Sequence, residues 1–225
     1  NKMNSKKYNY SGELKPIPDE KKYSAQEAQE FWKNPVTSEK KEVEKNSPKD
    51  YLSFNDKRSP VLHQIIERFL DNKNSKILEL GPNAGRNLNY LHQKGYQNVH
   101  GIEINPNAVA LLAEAFPEIS KNITLSSLED SLPKLSDNSY DLIFSMAVLE
   151  HISTDSDFIF DEIKRISSSY IITIEDEVTS WSERHFQRNY KEVFESNEWK
   201  EIFSANCEEY DCLDDRFFIR VFKRD

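Results

Sequence analysis

Gly81 and Gly85 stand first and fifth in the segment Gly81-Pro82-Asn83-Ala84-Gly85, directly after the apolar run Ile77-Leu78-Glu79-Leu80. Glycines at this spacing permit a tight strand-to-helix turn and close approach of a ligand to the backbone. Asn83 is among the few non-glycine residues that tolerate a left-handed conformation. A helix beginning there aims its free N–H groups at whatever occupies the turn. Eighteen residues beyond Gly85, Glu103 ends a second apolar run, where a carboxylate can accept both hydroxyls of a ribose. The turn and the acid together predict a nucleoside-containing cofactor at the carboxyl edge of a sheet.

The elements needed to hold such a site follow from the periodicity. Val61, Leu62, Ile65, Ile66, Phe69 and Leu70 recur at helical spacing and predict a core-facing helix over 59–70. Strands are predicted at 76–80, 98–104, 123–126, 140–145 and 170–174. Helices are predicted from Gly85 to about Lys94 and over 106–116 and 158–166. Strands alternating with helices of this length imply βαβ units and a parallel sheet covered on both faces. Beyond them a helix is predicted over 189–202, with strands near 208–212 and 217–222 forming an antiparallel hairpin at one edge. The expected fold is therefore α/β: a doubly wound, Rossmann-like, mostly parallel sheet with a C-terminal antiparallel hairpin and an N-terminal helical extension.

That extension, residues 1–58, precedes a catalytic domain over 59–225. Ser24 and Glu27 have capping-box spacing, so a helix is predicted from 24 to 33, stopped by Pro35. Tyr8, Tyr10, Tyr23, Phe31 and Trp32 are more aromatic surface than a solvated tail carries, and part of the zone is expected to pack on the body. The extension holds 13 basic and 10 acidic side chains, a net of +3. The rest of the chain holds 17 basic and 29 acidic, a net of −12. An acidic catalytic region argues against nucleic acid as the main partner. With a mean hydropathy of −0.77 and no apolar run of roughly 20 residues, no membrane segment is expected. A polar N-terminus does not read as a signal peptide. Cys207 and Cys212 are the two cysteines, which supports neither a disulfide framework nor a structural zinc site. The expected location is cytoplasmic, and no oligomeric state follows.

Four segments, in order and at normal spacing, resemble the class I S-adenosylmethionine-dependent methyltransferases, in particular their small-molecule (type 11/12-like) group. Glu79 to Gly85 resembles the acidic-x-Gly-x-Gly-x-Gly motif, with Asn83 in place of the middle glycine. Gly101-Ile102-Glu103-Ile104-Asn105 resembles the ribose-holding segment. Ser126-Ser127-Leu128-Glu129-Asp130 matches the segment beside the adenine, with Ser127 where an acid is usual. The run from Asp141 to Ile152 is similar to the fourth-strand motif. The resemblance implies S-adenosyl-L-methionine as cofactor, with Glu79, Gly81, Asn83, Gly85, Arg86, Glu103, Ile104, Ser127, Leu128, Ser145 and Met146 around it. No metal ligand is assigned, and a metal-dependent catechol-type enzyme, whose carboxylates would be dispersed in sequence, stays open. A dehydrogenase with this fold would keep Gly-x-Gly-x-x-Gly, and the third glycine is absent here.

A sulfonium methyl is electrophilic, so the protein's main task is in-line alignment of an acceptor. A hydroxyl acceptor must also lose its proton. His151, just past the fourth strand, is the candidate general base, and packing at a helix start is the equally weighted alternative. His185, in the insertion after the fifth strand, is the second catalytic candidate, against a packed loop. Arg58 is a candidate partner for the cofactor carboxylate, against a surface arginine. His63, His92 and His100 show no metal-ligand spacing, and no Asp/Asn-Pro-Pro-Tyr/Phe tetrapeptide occurs. The expected function is methyl transfer to a small-molecule oxygen or nitrogen nucleophile. Methylation of a protein or RNA, or a non-catalytic cofactor-binding module, stays open. The extension is expected to close over the site as a lid.

Overall fold

A computed structural model of the chain describes residues 14–35, 47–53 and 57–225; Tyr8 and Tyr10 lie outside them. The first helix, α1 (Ala25–Lys33), begins as its sequence dictates. The Ser24 hydroxyl accepts from the Glu27 N–H, and the Glu27 carboxylate accepts from the Ser24 N–H. After α2 (Pro48–Ser53), α3 (Arg58–Phe69) buries Val61, Leu62, Ile65 and Ile66 along one stripe. The alternating part follows: β1 (Ile77–Leu80), α4 (Arg86–Gln93), β2 (Val99–Glu103), α5 (Pro106–Ala115), α6 (Pro117–Ser120), β3 (Ile123–Leu125), α7 (Leu128–Ser131), β4 (Tyr140–Met146), α8 (Phe158–Ile166) and β5 (Ser167–Asp176). The chain ends with α9 (Tyr190–Phe194), β6 (Trp199–Asn206) and β7 (Phe217–Arg224).

The seven strands form one sheet in the order β3-β2-β1-β4-β5-β7-β6. The first five strands pair in parallel, while β7 runs antiparallel to both β5 and β6. Strand alternation divides the core into two layers. Ile77, Leu142 and Phe144 face α3, α4 and α5. Leu78, Leu80, Ile143 and Ile171 face α8 and α9. The order reverses between β1 and β4, and the crevice at the carboxyl ends of these two strands is where α/β sheets of this kind place ligands.

The second strand of the C-terminal hairpin lies where the periodicity predicts, whereas the first forms from other residues. The helix expected over 189–202 lasts five residues, because Glu195 turns extended (φ −67°, ψ 132°). The Ser196 hydroxyl then accepts from the N–H groups of Glu198 and Trp199. From Trp199 onward, burial alternates along β6, with Lys200 and Ile202 outward. Arg220 of β7 locks the pairing through Glu177 at 2.7 Å and Glu201 at 2.7 Å. The strand expected at 208–212 is instead a 3-10 turn, Cys207–Tyr210, opened by a second capping box of Asn206 and Glu209. Local capping prevailed there over an apolar pattern too short to fix a strand. Among the described residues no helix is long and apolar enough to cross a membrane.

Candidate active site

The β1–α4 turn is built around left-handed residues. Gly81 has φ +64°, Asn83 φ +51° and Gly85 φ +87°. A Cβ on Gly81 would lie 2.8 Å from a Val148 methyl, so both backbone and space require glycine there. Asn83 keeps the left-handed step that the sequence pattern gives to glycine, and its backbone N–H donates to Glu103 at 2.7 Å. The other Glu103 oxygen accepts from the Asn105 N–H at 2.9 Å. Glu103 is 5% exposed, and burial raises its pKa above the usual carboxylate value. A carboxylate has about four acceptor sites, so capacity for a ligand donor is left beside these backbone bonds.

Glu79 sits beside it on β1, 2% exposed. One oxygen accepts from the Asn87 amide at 3.0 Å, and Asn87 in turn accepts from the Ser59 hydroxyl at 2.7 Å. The other Glu79 oxygen is buried with no hydrogen-bond partner among the described residues, as is the Asn83 side-chain oxygen. Burial pushes the Glu79 carboxyl up to about 8. An unpartnered buried carboxylate oxygen is costly unless a ligand supplies a donor.

These groups line a cleft holding about 1080 Å³ of empty space, part of it continuous with solvent. Clefts of ~300–1,000 Å³ bury drug-sized ligands, so this one has room for a nucleoside cofactor and a second small molecule. Of the residues singled out in the sequence, Glu79, Gly81, Asn83, Arg86, Glu103, Ile104, Leu128, Met146, Arg58 and His151 are on its wall. Gly85, Ser127, Ser145 and His185 are not. Gly85 is the N-cap of α4, and Ser145 is buried in β4. Ser127 caps α7 by accepting from the Asp130 N–H, and its neighbours Ser126, Leu128 and Glu129 face the cleft instead.

The N-terminal segment lines the cleft as well. Ala28, Gln29 and Trp32 of α1 and Tyr51 of α2 line it. Lys22 fastens this segment by donating to the carbonyls of Ser180, Ser182 and His185 at 2.6–2.8 Å. The Tyr23 N–H reaches the Glu183 carbonyl, and the Ser153 hydroxyl donates to the Tyr23 carbonyl. Trp32 lies 4.5 Å from the His151 ring, and Arg184 sits over Phe31 at 4.8 Å. Burial pushes the Tyr51 hydroxyl up to about 12.

His151 is less free than a solitary base would be. Its Nδ1–H donates to the Arg184 carbonyl at 3.0 Å, and its Nε2 lies 3.2 Å from a Glu150 oxygen. His185 is 7% exposed behind it, ring to ring at 4.7 Å, with Nδ1 bonded to the Ser182 hydroxyl. Burial and the neighbouring His151 hold His185 neutral, far below the usual histidine range. Glu175 is wholly buried, accepts from the N–H groups of Val148 and Glu150, and is raised by burial and by Glu150. Sequence reasoning overlooked Asn87, Ser182 and Glu175, which carry no motif of their own.

Residues 78–169 match the family model described as a methyltransferase domain. The chain carries a class I, S-adenosylmethionine-dependent methyltransferase domain. Over 86 residues it is 31% identical to the phosphoethanolamine N-methyltransferase of Plasmodium falciparum (isolate 3D7), covering 38% of this chain and 32% of that protein. The chain thus spans about a third of that relative's length. The methyltransferase fold is also that of an S-adenosylmethionine-dependent methyltransferase from Mesorhizobium loti (14% identity, TM-score 0.58, 73% of this chain and 96% of that one). The [4+2]-cyclase SpnF shares it as well (14% identity, TM-score 0.58, 74% and 80%). S-Adenosylmethionine is the cofactor of the domain, and the buried acids and the unpartnered Glu79 oxygen fit a ligand with an ammonium group and ribose hydroxyls.

Proposed function

We propose that this protein transfers the methyl group of S-adenosylmethionine to a small polar molecule through an oxygen or nitrogen nucleophile. The observation that carries the reading is the placement of Glu79 and Glu103 as two buried acids in the wall of one cleft. Trp32, Tyr51 and His151 are on the wall of the same cleft. Glu103 would accept the ribose hydroxyls, and the free Glu79 oxygen would accept from the cofactor ammonium. Bound there, the cofactor supplies a sulfonium methyl that is already electrophilic.

What remains for the chain is alignment and exclusion of water. We infer that α1 does both: it forms the roof of the acceptor end, fastened by Lys22, and acts as the lid over it. Both ring nitrogens of His151 are engaged within the protein. As a base, His151 would act only by exchanging its proton through Glu150, not as a free imidazole facing the acceptor. The relative from Plasmodium falciparum is named for phosphoethanolamine, and a small amine or hydroxyl acceptor of that size is compatible with the cleft.

Because SpnF, named for a cyclisation, shares the fold, the test must follow the methyl group itself. S-Adenosylhomocysteine should bind in calorimetry with a stoichiometry of about one, as a preformed single site requires. Mass spectrometry of a panel of small amines, alcohols and acids incubated with the cofactor should then show gain of one methyl. Binding without methylation of any acceptor, including protein and RNA, would leave a cofactor-binding module instead.

A further inference from the structure

Glu150, His151 and His185 each offer one ligand atom, and these atoms all lie within 4.8 Å of one another. Glu150 and His151 are adjacent in the 3-10 turn Leu149–His151 after β4, whereas His185 arrives from the segment after β5. We propose that these three residues form a binding site for one divalent transition-metal ion in the wall of the acceptor end of the cleft.

The hydrogen bonds call for a positive charge between two of these groups. His151 gives its Nδ1–H to the Arg184 carbonyl, which can only accept, so Nε2 is the nitrogen whose lone pair is open to a ligand. That lone pair faces an oxygen of Glu150 at 3.2 Å. Two acceptors at this separation repel unless a positive charge lies between them, a proton or a metal ion. The distance fits the metal: two bonds of ~2.0–2.2 Å subtending roughly 100° at a central ion put their donor atoms this far apart.

Every ligand is also held from behind. The second Glu150 oxygen accepts from the Asp176 N–H at 2.6 Å. Nδ1 of His185 is bonded to the Ser182 hydroxyl, and the Arg184 carbonyl orients His151. Partners of this kind, which fix ring orientation and tautomer, accompany histidine ligands to metals. The backbone is fixed as well, since Glu175 accepts from the Glu150 N–H at 3.2 Å and from the Val148 N–H at 3.0 Å. Glu150 is 5% and His185 7% exposed, so the three do not form a solvated acidic patch.

Two imidazoles and one carboxylate favour zinc, iron(II), cobalt(II), nickel or manganese over calcium or magnesium. Three protein ligands leave an open position on such an ion. His151 is on the cleft wall, so an acceptor oxygen or nitrogen is the group suited to fill it. The site itself needs no bound cofactor and stands apart from the methyl-transfer reading.

Chelator-stripped full-length protein, without cofactor, is titrated with zinc sulfate by calorimetry and with cobalt(II) chloride by visible absorption. One equivalent should bind, and cobalt should show ligand-field bands of nitrogen–oxygen coordination. Glu150→Gln and His185→Ala should each weaken binding about 100-fold or more, and Ser182→Ala about tenfold or more, as loss of a supporting bond does elsewhere. Ser182→Ala leaves all three ligands in place and decides the matter if the other variants unfold. Absence of a stoichiometric site in the wild type would overturn the proposal. So would affinity that is the same in Ser182→Ala and Glu150→Gln as in the wild type, since the ion would then sit elsewhere. Retained S-adenosylhomocysteine binding by the metal-free protein separates this outcome from failure of the cofactor site.

Discussion

Replacing Glu79 with glutamine tests the cofactor end of the cleft most directly. Burial pushes the Glu79 carboxyl up to about 8, so at pH 6 roughly 1% of the ligand-free protein carries it ionised and at pH 7 roughly 10%. If the free oxygen receives the cofactor ammonium, binding selects the ionised form and releases a proton. Affinity for S-adenosylhomocysteine should therefore rise about tenfold from pH 6 to pH 7, or about 1.4 kcal/mol, and level off above pH 8. Glu79→Gln keeps the shape and can keep the bond from Asn87, but it presents an amide donor where a carboxylate oxygen stood. At pH 8.5 it should bind roughly 10–100-fold more weakly, the worth of a hydrogen bond to a charged group at ~1.5–3 kcal/mol. Its affinity should change little with pH, and the difference between the two proteins cancels any titration of the ligand. Stability moves the other way. A carboxyl whose folded pKa is raised contributes stability that is complete below its unfolded pKa and is lost as pH rises through about 8. Ligand-free wild type should thus lose stability from about pH 5 to pH 8, and Glu79→Gln should lose less. Calorimetry in two buffers of different ionisation enthalpy reads the proton release. A wild-type affinity flat from pH 6 to pH 7, or a folded variant that binds normally, would refute the assignment.

Glu103→Ala removes an acceptor pair for the ribose and should weaken S-adenosylhomocysteine binding by roughly ten- to a hundredfold in calorimetry, about 1.5–3 kcal/mol; unchanged affinity in the folded variant would place the ribose elsewhere. Gly85→Ala combines φ +87° with a Cβ 2.6 Å from the buried Leu112 side chain. Denaturant unfolding should show a loss of at least about 1–3 kcal/mol, and wild-type stability would mean that the turn relaxes. Lys22→Met deletes the three bonds that tie the N-terminal segment to the carbonyls of Ser180, Ser182 and His185. Limited proteolysis should cut before α3 faster and turnover should fall, with fluorescence denaturation of the body unchanged; normal turnover with a loosened segment would remove the lid role.

The parallel part of the sheet was legible because each strand is a short apolar run bounded by turn signals and each helix shows an apolar stripe. Ile77–Leu80 is buried at all four positions, and α8 buries Ile159, Phe160, Ile163 and Ile166 at helical spacing. The C-terminal region was not legible in the same way. Between Asn189 and Phe222 the apolar residues are spaced so that they fit either period. What decided the outcome was polar and local: the cap at Asn189, the Ser196 turn, the second capping box at Asn206 and the long-range fork of Arg220 onto Glu177 and Glu201. None of these carries a hydrophobic signature.

At the site the same division holds. Gly81, Asn83 and Glu103 announce themselves because a left-handed turn and a strand-ending acid admit few residue types. Asn87 and Ser59 do not: a chain of hydrogen bonds from α3 through α4 to Glu79 links residues whose types are common anywhere. The acceptor end shows the limit most clearly. His151 and His185 were each visible as a lone histidine with a packing alternative, and a separation of 34 positions hides any ligand spacing. Only the return of β5 beside β4, with the segment after it folded back through the Phe186 N–H to the Glu150 carbonyl at 2.8 Å, brings the two rings and Glu150 together. Once they meet, each histidine has a fixed tautomer or a fixed partner. The choice between a free base and a ligated or proton-sharing ring then becomes a question of the atoms facing Nε2 of His151, which spacing along the chain does not encode.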